Sequence, residues 1–361
     1  MIPLDFTYQS LPYNIQFGAG KRKSIKDIVA PHYKRALVLC TSHQVELATE
    51  IKGYLEEFSV GILDTAVMHV PQDVIDSAII FAESKQADVL VAVGGGSTIG
   101  LAKGIALQTH LPIVAIPTTY AGSEMTQIWG ITQNGVKKTG RDPIVKPKHV
   151  IYDPELTMTL PLHFAGTSGM NAMAHAVEAL YAENANPITL LLAKESITAL
   201  AKGLPKIFEN EKDIAARTQV LYGCYLSGTV LGMSSMALHH KLCHTLGGTF
   251  NLPHAATHTI ILPYATAYNA PYTKDAMILL AEALGVEKEQ VAQRIAELNT
   301  IIKAETSLEA LGLKEEDIET AAELAVKNPY FNPAPVDKKG IKALLEKAFK
   351  GEKPGSIIFK N

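Results

Sequence analysis

One short run, "ALHHKLCHTLGGTFNLPHAATH", carries histidines at 239, 240, 244, 254 and 258. His240 and His244 are four apart and share one helix face, whereas His239 points roughly 100° away and reads as a packing residue. His254 follows Pro253 and is placed to start the next helix, folding back across "TLGGTFN". A further histidine, His175, stands four residues after Asn171 in "GTSGMNAMAHAVEALYA", so these two also share a face. Imidazoles converging from separate segments can bind a cation, polarise an oxygen or move protons near neutral pH. A carboxylate at 171 would make half a metal site with His175. The amide is a far weaker ligand, but it can donate a hydrogen bond where an ionised Asp cannot.

A second constellation suits a nucleotide. "LVAVGGGSTIGLAKG" sets Gly94, Gly95 and Gly96 directly after an apolar strand, with Ser97 and Thr98 opening a helix. The glycines let a ligand approach the backbone, Ser97 is placed to cap the helix, and the helix N-terminus offers unpaired N–H groups to a pyrophosphate. This is neither a P-loop nor G-x-G-x-x-G. The following strand leads into "IPTTYAGSEMT", which adds Thr118, Thr119, Tyr120 and Ser123 at the same sheet edge. In "VLCTSHQ" the strand ends in Thr41 and Ser42, where an acid would select NAD by binding the adenosine ribose; either NADH or NADPH is therefore expected. Lys241 is a candidate for a substrate carboxylate, and Tyr330 in "NPYFNP" a candidate for substrate contact.

These residues need elements to hold them. "RALVLCT" (35–41), "DVLVAV" (88–93) and "LPIVAIPT" (111–118) are continuous apolar strands, and the segments between them have helical spacing. That alternation predicts a Rossmann-like, doubly wound parallel α/β sheet over 1–155, followed by an all-α domain over 156–361. The cleft between two such domains is the expected place for a site. Asn134-Gly135 signals a hairpin, expected in the connection between the domains.

With 361 residues and 47% hydrophobic content the chain can bury two cores. Its 33 basic and 36 acidic residues nearly cancel, which favours neither nucleic acid nor an anionic membrane. Three widely spaced cysteines, Cys40, Cys224 and Cys243, argue against a disulfide framework. "MIPLDFTYQSLPYNIQFGAG" lacks the pattern of a signal peptide, and no apolar run is long enough to span a bilayer. A cytoplasmic protein acting on a small molecule, and a homodimer on general grounds, are expected.

Taken in order, "FGAG", "GGGST", "IPTTYAGSEMT", "DPELT", "GMNAMAHAVE", the His240–His254 segment and "NPYFNPAPV" resemble the iron-containing (group III) alcohol dehydrogenase superfamily, whose fold is dehydroquinate synthase-like. The resemblance runs over nearly the whole chain. It implies that the metal-ligating Asp and three histidines of metal-using members fall on Asn171, His175, His240 and His254. An additional active-site histidine falls on His244. The Asp is missing, and Gly100 stands where many relatives carry an acid. Those departures are similar to one branch, the maleylacetate reductases of aromatic-compound breakdown, which implies NAD(P)H-dependent reduction of a C=C bond to give 3-oxoadipate.

Charge agrees with that branch. An Asp and three neutral histidines leave a divalent site at net +1, and Asn leaves it at +2, so no metal is expected. Asn also removes repulsion of a dianionic substrate and adds a donor. His175, His240, His254 and Asn171 are then expected to support charge on the substrate oxygen, with His244 as general acid. Two alternatives remain open: a metal-dependent alcohol or polyol dehydrogenase of the same superfamily, and a nucleotide-binding protein without turnover.

Overall fold

The computed structural model describes residues 14–355. Residues 1–13, part of the stretch read for a signal peptide, lie outside the described residues. The chain divides into two compact units, with the division between Leu160 and Pro161.

The first unit is built on β1 (Asn14–Phe17), β2 (Ala36–Leu39), β3 (Ser59–Leu63), β4 (Val89–Gly94), β5 (Ile113–Pro117) and, after a hairpin of β6 (Ile128–Gln133) and β7 (Val136–Arg141), β8 (His149–Tyr152). The six-stranded sheet runs β1-β8-β5-β4-β2-β3, with every pairing parallel. The helices are α1 (Ile25–Val29), α2 (Val45–Leu55), α3 (Gln72–Ser84) and α4 (Gly96–Thr109). Alternate residues of each central strand serve opposite faces. Ala36, Val38, Val89, Val91 and Val93 pack with α1 and α2, whereas Leu37, Leu39, Leu90 and Ala92 pack with α3 and α4. A sheet covered on both sides explains why these strands are apolar without alternation. The chain leaves β2 toward β3 on one side and returns to β4 on the other. Its strand order therefore reverses between β2 and β4, where an open α/β sheet binds its ligand.

Asn134 (φ 52°) and Gly135 (φ 74°) both adopt left-handed backbone, the requirement of a two-residue hairpin turn. This hairpin lies inside the first unit, between β5 and β8, and not in the connection between units as expected from sequence. The sheet needed one more strand, β8, before the chain could leave it. Ser97 is also not the helix cap: α4 begins at Gly96 with Gly95 at the cap position and no side-chain cap bond, so Ser97 lies in the first turn.

The second unit, among the described residues, is helical throughout. It comprises α5 (Leu162–Ala179), α6 (Pro187–Glu209), α7 (Ile214–Met233), α8 (Leu238–Phe250), α9 (His254–Asn269), α10 (Lys274–Leu284), α11 (Val291–Ile301), α12 (Asp317–Val326) and α13 (Lys338–Lys350). From Gly169 to Ala179 every residue of α5 is buried, so this helix is the unit's centre and its polar residues are enclosed. No helix among the described residues is long and apolar enough to cross a membrane.

Helices α6 and α7 approach closely because glycines face across them. A Cβ on Gly223 would stand 2.8 Å from Leu200 Cγ and 3.1 Å from the Ser196 carbonyl oxygen, and one on Gly203 would stand 2.7 Å from Val220 Cγ2. Backbone cannot yield as a side-chain tip can. Gly223→Leu is expected to lower unfolding free energy by about 1–3 kcal/mol, read as a reduced urea midpoint.

Candidate active site

Glu178, on α5, organises the histidine segment. Its side chain is fully buried, and both oxygens are used. Oε2 accepts from the Ala237 N–H at 2.7 Å and pairs with His240 Nδ1 at 2.7 Å, while Oε1 accepts from the His239 N–H at 2.7 Å. Helix α8 has no side-chain cap of its own, so a carboxylate from another helix supplies it, at the end where the helix dipole favours an anion. The same group fixes the His240 ring with Nδ1–H toward the carboxylate. His240 Nε2 is left buried without a partner. Sequence reasoning does not single out Glu178. The available signal is that Glu178, three residues after His175, is the one acid in the helix Leu162–Ala179, which holds no Lys or Arg.

His239, read as a packing residue, is fully buried and lies within the cluster. Its Nε2 lies 3.0 Å from Nδ1 of His258, which sequence reasoning left unassigned although it follows His254 by one helical turn. The His258 ring is 4.3 Å from that of His254, 4.8 Å from His239 and 4.9 Å from His240, so it sits at the middle of the cluster. Burial, reinforced by neighbouring imidazoles, holds His175, His239 and His258 well below the ordinary histidine value, so these rings are neutral at pH 7.

His175 stacks on His240 at 5.1 Å between ring centres. Its Nδ1 faces Ser227 Oγ at 3.4 Å, and that hydroxyl gives its hydrogen to the Ala172 carbonyl. Such a network assigns the His175 proton to Nδ1 and leaves Nε2 as an acceptor, which departs from its expected part as a donor to a substrate oxygen. Asn171, on the same face, is buried with its side-chain oxygen unpartnered. An orphaned buried amide is costly to a fold and marks a place where a ligand can complete the bonding.

His244 and Tyr330 come together: Nδ1 of the exposed histidine is 3.0 Å from the Tyr330 hydroxyl. Burial raises the Tyr330 pKa, so the phenol is neutral at pH 7. Lys241 donates to the Lys327 carbonyl at 3.1 Å and lies over the Tyr330 ring, 5.8 Å from its centre. Asn332 and Asn269 exchange amide hydrogen bonds of 2.8 and 3.0 Å, anchoring the "NPYFNP" loop to α9; neither was read from sequence. His254 is exposed at the first position of α9, as its place after Pro253 predicted.

In the first unit, the ends of β2, β4 and β5 lie side by side. Gly94 (φ +153°) admits no side chain, because a Cβ would collide with Thr98 Oγ1 and stand 2.7 Å from Gln44 Oε1. Gln44 donates to Thr118 Oγ1 at 2.8 Å and accepts from Thr41 Oγ1 at 3.3 Å, tying two of the candidate loops together. A Cβ on Gly95 would meet the Thr119 side chain at 2.8 Å, whereas one on Gly96 would meet nothing nearer than Ala121 at 3.9 Å. The first turn of α4 therefore opens onto free space beside Gly96, a cradle suited to a pyrophosphate. Gly100 has no room for an acid: Val70, held at φ 47°, places Cγ2 2.7 Å from where a Cβ would stand.

Comparison with known proteins agrees with this architecture. Residues 12–154 match the model of the iron-containing alcohol dehydrogenases, and residues 165–349 match that of the C-terminal part of the Fe-containing alcohol dehydrogenase family. The chain belongs to the iron-containing alcohol dehydrogenase family. A maleylacetate reductase of Sphingobium indicum is 50% identical over 97% of this chain and 99% of its own length. The crystal structure of maleylacetate reductase from Agrobacterium tumefaciens superposes with a TM-score of 0.95 at 43% identity, covering 98% of this chain and 100% of that one. One from a Rhizobium strain gives 0.94 at 45% identity, with coverage of 98% and 100%.

The family's name implies iron. The resemblance sets Asn171, a neutral and weaker ligand than a carboxylate, where metal-using members carry an acid. Among the described residues, the one group of three or more His, Cys, Asp or Glu with ligand atoms within 4.8 Å of one another is His239, His240 and His258. In this group His239 Nε2 and His258 Nδ1 face each other, while His239 Nδ1, His240 Nε2 and His258 Nε2 are buried without a partner.

Glu178 is the group on which this arrangement turns. Glu178→Gln keeps its volume but aims an NH2 at N–H donors. Its expected effect is a loss of about 1–3 kcal/mol in unfolding free energy and at least about a tenfold fall in kcat, with NADH affinity unchanged. Denaturant titration, turnover and NADH fluorescence titration check these three outcomes.

Proposed function

We propose that this chain is a maleylacetate reductase, reducing the C=C bond of maleylacetate to 3-oxoadipate with NADH or NADPH in aromatic-compound breakdown, without a catalytic metal. The observation that carries the reading is Asn171: a buried neutral amide in the place that the resemblance gives to the family's metal-ligating acid. The relatives named maleylacetate reductase, similar over nearly the whole chain, support it.

The nucleotide would be held by Gly94–Thr98, the Thr118–Ser123 loop and the Thr41–Gln44 segment. When bound, the dihydronicotinamide supplies a hydride to the alkene carbon β to the ketone. The alkene electrons then move toward the ketone oxygen, which becomes an enolate and needs hydrogen-bond donors. Asn171 gives an amide N–H. His240 gives Nε2–H when its ring is protonated, with Glu178 carrying the countercharge. His254 stands at the positive end of the α9 dipole. His175, as a neutral acceptor, orients a donor on substrate or water.

The enolate is completed by a proton delivered to the carbon next to the ketone, and His244 is the general acid. Its Nδ1–H is held by the neutral Tyr330 hydroxyl, which leaves Nε2–H to be given away; exposure to solvent allows the ring to be reprotonated. Lys241 keeps two N–H groups beyond its bond to the Lys327 carbonyl, enough to meet a substrate carboxylate. One NAD(P)H and one proton are consumed for each alkene reduced. A cytoplasmic homodimer completes the reading.

Oxidation of NADH and NADPH with maleylacetate, followed before and after chelation, tests the whole. Turnover is expected to persist in the chelated protein; stoichiometric metal whose removal abolishes activity and whose return restores it would overturn the metal-free mechanism. Asn171→Asp should raise affinity for divalent cations by at least about tenfold and lower kcat/KM for maleylacetate by a similar factor. His244→Ala should reduce kcat by about 10²–10⁴-fold with NADH affinity unchanged, measured by steady-state kinetics and NADH titration.

A further inference from the structure

Lys103, on the second turn of α4, is a fully buried amine that the mechanism does not use. Its Nζ lies 2.7 Å from the Ser123 carbonyl, 2.9 Å from the Thr126 carbonyl, 3.0 Å from Thr126 Oγ1 and 2.7 Å from the Ile128 carbonyl. Three of the four oxygens come from the connection between β5 and β6, which begins with Thr118, Thr119 and Tyr120, and the fourth from Ile128, the first residue of β6. The side chain thus acts as an internal cation around which one loop is wrapped. Glu124 of the same loop is also fully buried and accepts from the Tyr152 hydroxyl at 2.8 Å; burial raises its pKa, and the nearby Lys103 charge opposes that shift.

We propose that Lys103 is a positioning residue for the cofactor. By gathering three backbone carbonyls of the 118–128 connection, it sets the distance between that loop and the α4 N-terminus, and so the width of the nucleotide cradle. This rests on the reading that these two segments hold the nucleotide. The physical ground is that the loop's carbonyls are turned inward. Buried carbonyls need donors: that of Ser123 also accepts from the Thr126 N–H at 3.2 Å, and Lys103 is the donor that reaches the Ser123, Thr126 and Ile128 carbonyls from one point. An ammonium offers three N–H donors radiating from one atom, and its hydrogen bonds are charge-assisted.

Geometry carries the loop's position to the cradle. Lys103 lies on the same helix as Gly96, seven residues on, and the loop it holds presents Thr119 against Gly95 and Ala121 against Gly96. If the loop is released, both walls of the cradle shift relative to α4. Burial pushes the Lys103 amine down to about 7, while four oxygens at hydrogen-bond distance and Glu124 favour the charged form. The ammonium suits this place because a neutral amine would turn a lone pair toward one of the oxygens.

The test uses the full chain and NADH fluorescence titration, with turnover at saturating NADH measured in parallel. Lys103→Met should raise the Kd for NADH at least tenfold while kcat at saturation stays within about threefold and KM for maleylacetate within about twofold. Thr126→Val removes one of the four acceptors and should raise that Kd by a few-fold. A purely structural lysine would lower thermal stability in both variants yet leave the NADH Kd of the folded protein unchanged, and that result overturns the proposal. If Lys103→Met does not fold, Thr126→Val decides by the same criterion. Ala121→Glu puts a negative charge beside Gly96 and should weaken NADH binding whatever Lys103 does. An unchanged Kd in that variant removes the reading of the loop as part of the nucleotide site, and the proposal with it. Weakening in Ala121→Glu but not in Lys103→Met or Thr126→Val overturns the role of Lys103 alone.

Discussion

A buried carboxylate must find donors for both of its oxygens, and the helical unit is arranged around how Glu178 does so. Two backbone N–H groups at the start of α8 and the Nδ1 of His240 meet that demand. One interaction therefore fixes where α8 begins, how it is rotated and which nitrogen of His240 remains open. His239 follows from the same constraint. With α8 locked by its first turn, His239 is carried inward, where His258 of α9 is its partner. The cluster is thus less a collection of independent histidines than the consequence of a single cap.

Close approach does the corresponding work in the α/β unit. Gly94 and Gly95 leave no space for side chains, because Thr98, Gln44 and Thr119 fill it, and the hydroxyl and amide groups there knit β2, β4 and β5 together at their carboxyl ends. Gly96 is different in kind, since open space lies beside it. The three glycines of "GGGST" therefore divide into two that pack and one that leaves a cradle. Gly100 adds a further distinction. Val70, at a left-handed backbone angle that β-branched residues rarely adopt, occupies the position that an acidic side chain would need. Gly100 and Asn171, neutral where the resemblance implies acids, both leave negative charge out of places suited to anionic ligands.

Much of this was legible in the order of residues. Short runs of apolar residues without alternation, rich in Val and Ile, suit strands covered on both faces, so "DVLVAV" and "LPIVAIPT" pointed to the parallel sheet. Asn134-Gly135 announced its turn, because few other pairs tolerate two left-handed residues in succession. Pro253 before His254 announced the start of α9. The missed placements have a common origin. Ser97 looked like a cap because caps are read from residue type, yet the helix starts one residue before it. The hairpin was placed between domains because sequence does not reveal that β8 has still to join the sheet. Helical phase sets His239 apart from His240 and His244, and it says nothing of the neighbouring helix that supplies His258.

Local patterns depend on neighbours in the chain, so periodicity, turn chemistry and the absent carboxylate at 171 were determined by the sequence by itself. Which polar groups are buried together depends on contacts between residues far apart in the chain. The pairing of Glu178 with His240, of His239 with His258, of His244 with Tyr330 and of Lys103 with the 123–128 carbonyls was therefore decided only when the helices and loops packed. The reason is energetic. A polar group removed from water is stable only with a partner, and tertiary structure alone determines which partner is within reach.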